Sequence, residues 1–155
     1  MNRRIESAAR LCGWTASVFL AAMMLLTVAD VVLRAVFNYP IRGTYELIEL
    51  LLCATFFFAL PAVFLRDKHI LVDAIDTCVP RAVPSLRRIS GLIAVAMLVL
   101  MAWQGAIAAR DTVSFGDVTA ELSLPKILYW IPLLFGLGAG ALGALVVTFG
   151  TRRRR

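Results

Sequence analysis

The sequence predicts an all-α integral membrane protein, four transmembrane helices in a single membrane domain spanning 1–155. Three observations carry that prediction. Hydrophobic residues make up 61% of the 155 and mean hydropathy is +0.84, against about 45–50% apolar residues in ordinary soluble domains. The apolar residues fall into four runs, each long enough at about 1.5 Å per residue to cross a ~30 Å hydrocarbon core. The basic residues cluster in the short segments between runs, where membrane topology accounts for them. That placement turns the net charge of +6 away from a nucleic-acid partner and toward membrane lipids.

The first span is expected over about 11–33. It follows a short basic start, MNRRIESAAR, and its apolar run is too long for the core of a signal peptide, so it reads as a retained helix. Asn38, Pro40 and Gly43 then supply turn signals. The second span is expected over 44–65. It contains Pro61, which in water would argue against a helix interior but is tolerated in a membrane helix, often with a kink.

Between the second and third spans lies the longest polar connection. Leu71, Ala74, Ile75, Cys78 and Val79 recur there at i, i+3, i+4, i+7 and i+8, with Asp73 and Asp76 off the stripe. This is the pattern of a short amphipathic helix in the interface plane. The third span is expected over 89–109 and the fourth over 124–149, with Pro125 near its start and Pro132 inside it. In the fourth span Gly136, Gly140 and Ala144 form a small-xxx-small stripe that lets another helix approach closely.

Four spans put both termini on one side. Twelve of the 16 basic residues belong to the N-terminal start, the long connection and the TRRRR tail, so the positive-inside rule predicts an N-in/C-in topology with both termini cytoplasmic. Tyr39, Tyr45, Trp103, Tyr129 and Trp130 then fall near the outer boundary, as an aromatic belt would.

The stretch DVVLRAVFNYPIRGTYELIE, Asp30 to Glu49, places five ionisable residues where the first span ends and the second begins. Asp30 and Arg34 stand i, i+4, as do Arg42 and Glu46 if the second helix starts that early, so each pair can share a helix face. Glu46 and Glu49 stand i, i+3. Glu49 lies more than a turn inside the boundary and is expected to point into protein. Intramembrane charges usually pair with one another. The first reading is therefore helix bracing, with contact to a partner or an ion path as the functional alternative.

Other candidates are weak. His69 is the single histidine, with Asp67, Asp73 and Asp76 along the same connection; a metal site needs several convergent ligands, and bis-histidine haem ligation needs two. Cys12, Cys53 and Cys78 are odd in number, without a CxxC pair, and imply neither a disulfide framework nor a zinc site. No nucleophile with a base and no phosphate loop stands out. Neither an enzyme nor a cofactor is expected.

The order RAVFNYPIRGTYELIELLL, then FFFALPAVFLRDKHILVD, then ELSLPKILYWIPL resembles the small permease subunit of tripartite ATP-independent periplasmic (TRAP) transporters, the DctQ-like family. Its more specific parts are Arg34, Asn38 and Pro40, Gly43 with Glu46, the run His69 to Asp73, and Leu124 and Pro125 followed by Tyr129 and Pro132. The resemblance implies a non-catalytic subunit in the bacterial inner membrane that braces a large multi-span permease, with a periplasmic solute-binding protein as a transient partner. It further implies ion-gradient-driven uptake of a carboxylate-type solute, with sodium sites in the large subunit. A second hypothesis is a small self-assembling proton-coupled transporter using Glu46 or Glu49 as the carrier.

Overall fold

A computed structural model describes residues 3–65 and 83–150. Four α-helices account for nearly all of them: α1, Arg3–Phe37; α2, Thr44–Leu65; α3, Val83–Phe115; and α4, Ile127–Gly150. All four are long and apolar enough to cross a membrane. The expected interfacial helix, and His69 with its neighbouring aspartates, lie outside the described residues.

The boundaries of α2 are those predicted, and the others shift. Helix α1 extends past both ends of the expected 11–33, because nothing breaks it before Asn38. There the backbone takes a positive φ of 51°, which asparagine tolerates better than most residues, and Pro40 cannot carry the helix on. Helix α3 outruns 89–109 on both sides, since Pro84 sits in its first turn, where a missing N–H breaks no intrahelical bond. Its end is a Schellman cap: Gly116, at φ 65°, donates to the Val113 carbonyl at 3.2 Å, and Asp117 N–H donates to Thr112 at 3.2 Å. Helix α4 begins at Ile127 rather than 124, because Pro125 is paired in an antiparallel bridge with Val118.

Among the described residues α1 packs on α2, α2 on α4 and α4 on α3, and no other pair of helices touches. The helices therefore stand in a row, in the order α1, α2, α4, α3. Helices α2 and α4 run parallel: Tyr129 meets Glu46, Gly136 meets Phe57 and Gly140 meets Leu60. The outer pairs, α1 with α2 and α3 with α4, are antiparallel hairpins.

The core is thin and built of small residues. Leu98, Leu137, Ala141 and Ala144 are buried, with Phe57, Leu60, Phe64, Val95, Ala102 and Leu133 packed around them. On the α1 side, Phe58 stacks between Phe19, with ring centroids 5.5 Å apart, and Phe135, at 4.9 Å. Trp14, Leu25, Phe56 and Phe115 are each more than 60% exposed. In water such a surface would drive aggregation, whereas lipid tails match it.

Of the stripe, Gly136 and Gly140 face α2, and Ala144 is buried in the core with Leu98 and Leu137. A Cβ on Gly136 would stand 2.6 Å from the Phe57 Cβ and closer still to the Phe57 carbonyl oxygen, and one on Gly140 would stand 2.9 Å from Leu60. The missing side chains set how near the two central helices come. Without a hydrophobic drive between helices in lipid, such close van der Waals contact is a main source of association.

Candidate functional site

Among the described residues, the side-chain hydrogen bonds that join separate elements near the helix ends cluster where the connection 38–43 meets the loop 116–126. Asp30 is 5% exposed. Its Oδ2 accepts from the Arg34 guanidinium at 2.6 Å, and its Oδ1 accepts from the Ile41 N–H at 3.0 Å and the Thr44 hydroxyl at 3.1 Å. Thr44 shares its one hydrogen with the Ile41 carbonyl, 2.8 Å away. One carboxylate thus ties the last turns of α1 to the connection and to the first turn of α2. The i, i+4 pair expected of Asp30 and Arg34 is present, with the Arg34 side chain about half exposed.

Glu46 corrects the expectation. Gly43 accepts the first α2 bond, from Leu47 N–H at 3.1 Å, so it is the N-cap and Arg42 lies outside the helix. The proposed i, i+4 contact of Arg42 with Glu46 is therefore absent. Arg42 is exposed and makes no hydrogen bond or ion pair with the described residues. Glu46 instead accepts from two backbone amides of the distant loop, Glu121 N–H at 2.7 Å and Leu122 N–H at 3.0 Å. In its third-residue position on α2 a carboxylate is also favoured by the helix dipole.

The loop answers in kind. The Glu121 carboxylate accepts from the Gly43 N–H at 2.7 Å, and Leu122 lies against Gly43, whose φ of +72° and lack of a side chain both belong to this contact. The Tyr129 hydroxyl donates to the Glu46 carbonyl at 2.8 Å, and the Cys53 thiol lies 3.5 Å from the Tyr129 carbonyl.

The loop is itself well ordered by bonds. Thr119 N–H donates to Leu124 at 2.8 Å, Lys126 N–H to Asp117 at 3.0 Å, and Leu124 N–H to the Thr119 hydroxyl at 3.0 Å. Trp130 Nε1 donates to the Thr112 hydroxyl at 3.0 Å, joining α4 to α3. Reading by periodicity missed Glu121, Thr44 and Tyr129. The sequence signal that was available was a carboxylate, Glu121, just ahead of the Leu124–Pro125 boundary.

Glu46→Gln tests the double acceptor. A glutamine amide can accept from one loop N–H but presents its own NH₂ to the other. Amide hydrogen exchange at Glu121 and Leu122 should accelerate by roughly tenfold or more, given the strength of hydrogen bonds to charged acceptors. Exchange at Ile41, held by Asp30, should stay as in the wild type. Unchanged exchange at 121–122 would mean that the loop is held by other bonds.

Glu49 also departs from expectation. It is exposed on α2 rather than turned into protein, and it makes no hydrogen bond or ion pair with the described residues.

In comparisons with known proteins, no curated protein and no solved structure matches the chain. A family model, described as tripartite ATP-independent periplasmic transporters, DctQ component, matches residues 23–154. That match takes in the clasp from Asp30 to Tyr129, the C-terminal part of α1 and the whole of α2, α3 and α4, and the chain belongs to the DctQ family, the small membrane subunit of TRAP transporters.

Proposed function

We propose that the chain braces a large permease subunit in the bacterial inner membrane, with both termini cytoplasmic and the clasp end outward. The large subunit carries the translocation path and the sodium sites, a periplasmic binding protein delivers a carboxylate-type solute, and an ion gradient drives uptake. The observation that supports this reading is the row of helices. A layer one helix thick presents extended apolar faces to a neighbour, whereas a transporter site is built near the midplane from repeats and broken helices that enclose it. The charges at the clasp end are engaged in structural bonds: Asp30 and Glu46 each have both oxygens occupied by donors of this chain.

Proteoliposome uptake of a panel of radiolabelled carboxylic acids tests it. With the chain, the large subunit and the binding protein together, uptake is expected under an inward sodium gradient. With the chain alone none is expected. Uptake by the chain alone, abolished by Glu49→Gln, would replace this reading with that of a proton-coupled transporter.

A further inference from the structure

Three carboxylates belong to the two spans that meet at the clasp, and two of them are satisfied by this chain. Glu49 is the third. It lies five residues past the start of α2, about 7.5 Å along the axis, on an exposed stripe with Tyr45, Leu52, Phe56 and Val63 at i−4, i+3, i+7 and i+14, which are 72%, 54%, 61% and 67% exposed. The other side of the helix is closed: Ala54 and Ala62 are buried, and Phe58 stacks between α1 and α4.

No cation of the described chain serves Glu49. Arg34 is engaged by Asp30, and Arg42 precedes the helix by two residues and stands about two turns from Glu49. Hydrocarbon offers a carboxylate no donor, and glutamate is too short to reach the headgroups as lysine or arginine does. A second copy packed on this face about a two-fold axis along the membrane normal would set Glu49 against Glu49, since such an interface is self-complementary.

We infer that the face formed by Tyr45, Glu49, Leu52 and Phe56 is where the large permease subunit packs, and that one of its membrane helices presents a lysine or arginine to Glu49. The inference rests on the bracing role proposed above. Charge complementarity selects the partner: an apolar, partly aromatic ridge with one exposed anion at membrane depth, unpaired among the described residues, calls for an apolar helix with one cation at the same depth. Such a pair fixes register between helices that are otherwise uniformly greasy, because a sliding or rotated contact leaves both charges unpaired in lipid.

The test is co-expression of the tagged full chain with the large subunit of its transporter, with membrane levels of both followed by immunoblot. Glu49→Lys should reduce the large subunit recovered per tagged chain at least tenfold, and Glu49→Gln by roughly three- to tenfold. Reversing one basic residue of the large subunit to glutamate should return Glu49→Lys to within twofold of the wild type. A photo-cross-linking residue at Leu52, in a chain with native Glu49, should trap the large subunit and so reports the face even where a Glu49 variant fails to accumulate. Wild-type recovery with Glu49→Lys, or cross-links from Leu52 only to lipid or to a second copy, would overturn the inference and leave the bracing role standing. Failure of the wild-type chain to recover the large subunit at all would overturn both.

Discussion

Asp30→Ala is expected to disorganise the connection between α1 and α2 and to be among the most damaging single substitutions in the chain. It strips acceptors from three donors at once: the Ile41 N–H, the Thr44 hydroxyl and the Arg34 guanidinium. The first two matter most. Arg34 is half exposed and can turn to solvent or headgroups, and ion pairs with an exposed partner contribute little. The Ile41 amide and the buried Thr44 are left without their charged acceptor, and hydrogen bonds to charged groups are the stronger kind.

The ratio of folded to unfolded chain in detergent should therefore fall by roughly ten- to a hundredfold. Asp30→Asn should fall between, because its one carbonyl oxygen can still accept. In the Asp30→Ala background, Arg34→Leu should add almost nothing, as expected when two residues act as one contact. Equal stability of Asp30→Ala and wild type in thermal unfolding would show that the carboxylate does not hold this connection.

Gly136→Leu should separate the two central helices. A single Cβ at this position already collides with the Phe57 carbonyl oxygen and Cβ, which are backbone-fixed atoms and cannot swing away like a side-chain tip. Overpacking in a well-filled core costs about 1–3 kcal/mol, and Gly136→Ala should fall in that range. Leucine forces α2 and α4 apart along their whole parallel contact and should cost more, about 3 kcal/mol or above on the same basis.

The distinguishing readout is distance. Spin labels on the exposed Leu52 and Leu142 should report a longer separation in Gly136→Leu, with the α1–α2 clasp at Asp30 unchanged. A variant as stable as the wild type, at an unchanged distance, would show that the contact can relax around a side chain. Because these helices carry the row, the substitution should also lower the amount of large subunit recovered, without touching any residue of the proposed partner face.

The four helices and their approximate limits were legible because apolar length is a local property: a run of some 20 residues without strong charge has few alternatives to spanning. The Asp30–Arg34 contact was legible for the same reason, as both lie in one helix at i, i+4. Arg42 with Glu46 shows where that reasoning stops. The spacing was right, but Gly43 caps α2 one residue after Arg42, and Glu46 goes to amides 75 and 76 residues further on. Backbone donors carry no side-chain signature, so no pattern of residue types could have named them.

The sequence by itself determined the solvent of this protein and the local geometry of each helix, through composition, turn residues and near-neighbour spacing. It also marked the small residues of the fourth helix as a place of close approach. Tertiary structure alone decided which helices meet, that they stand in a row with α2 and α4 at its centre, and that Glu46 closes the loop end while Glu49 is left exposed. The physical reason is the surrounding lipid. In water, an amphipathic stripe tells a helix's inner face from its outer one; in a bilayer both faces are apolar, so neither partner nor orientation is written in the periodicity, and only packing and the few polar groups settle them.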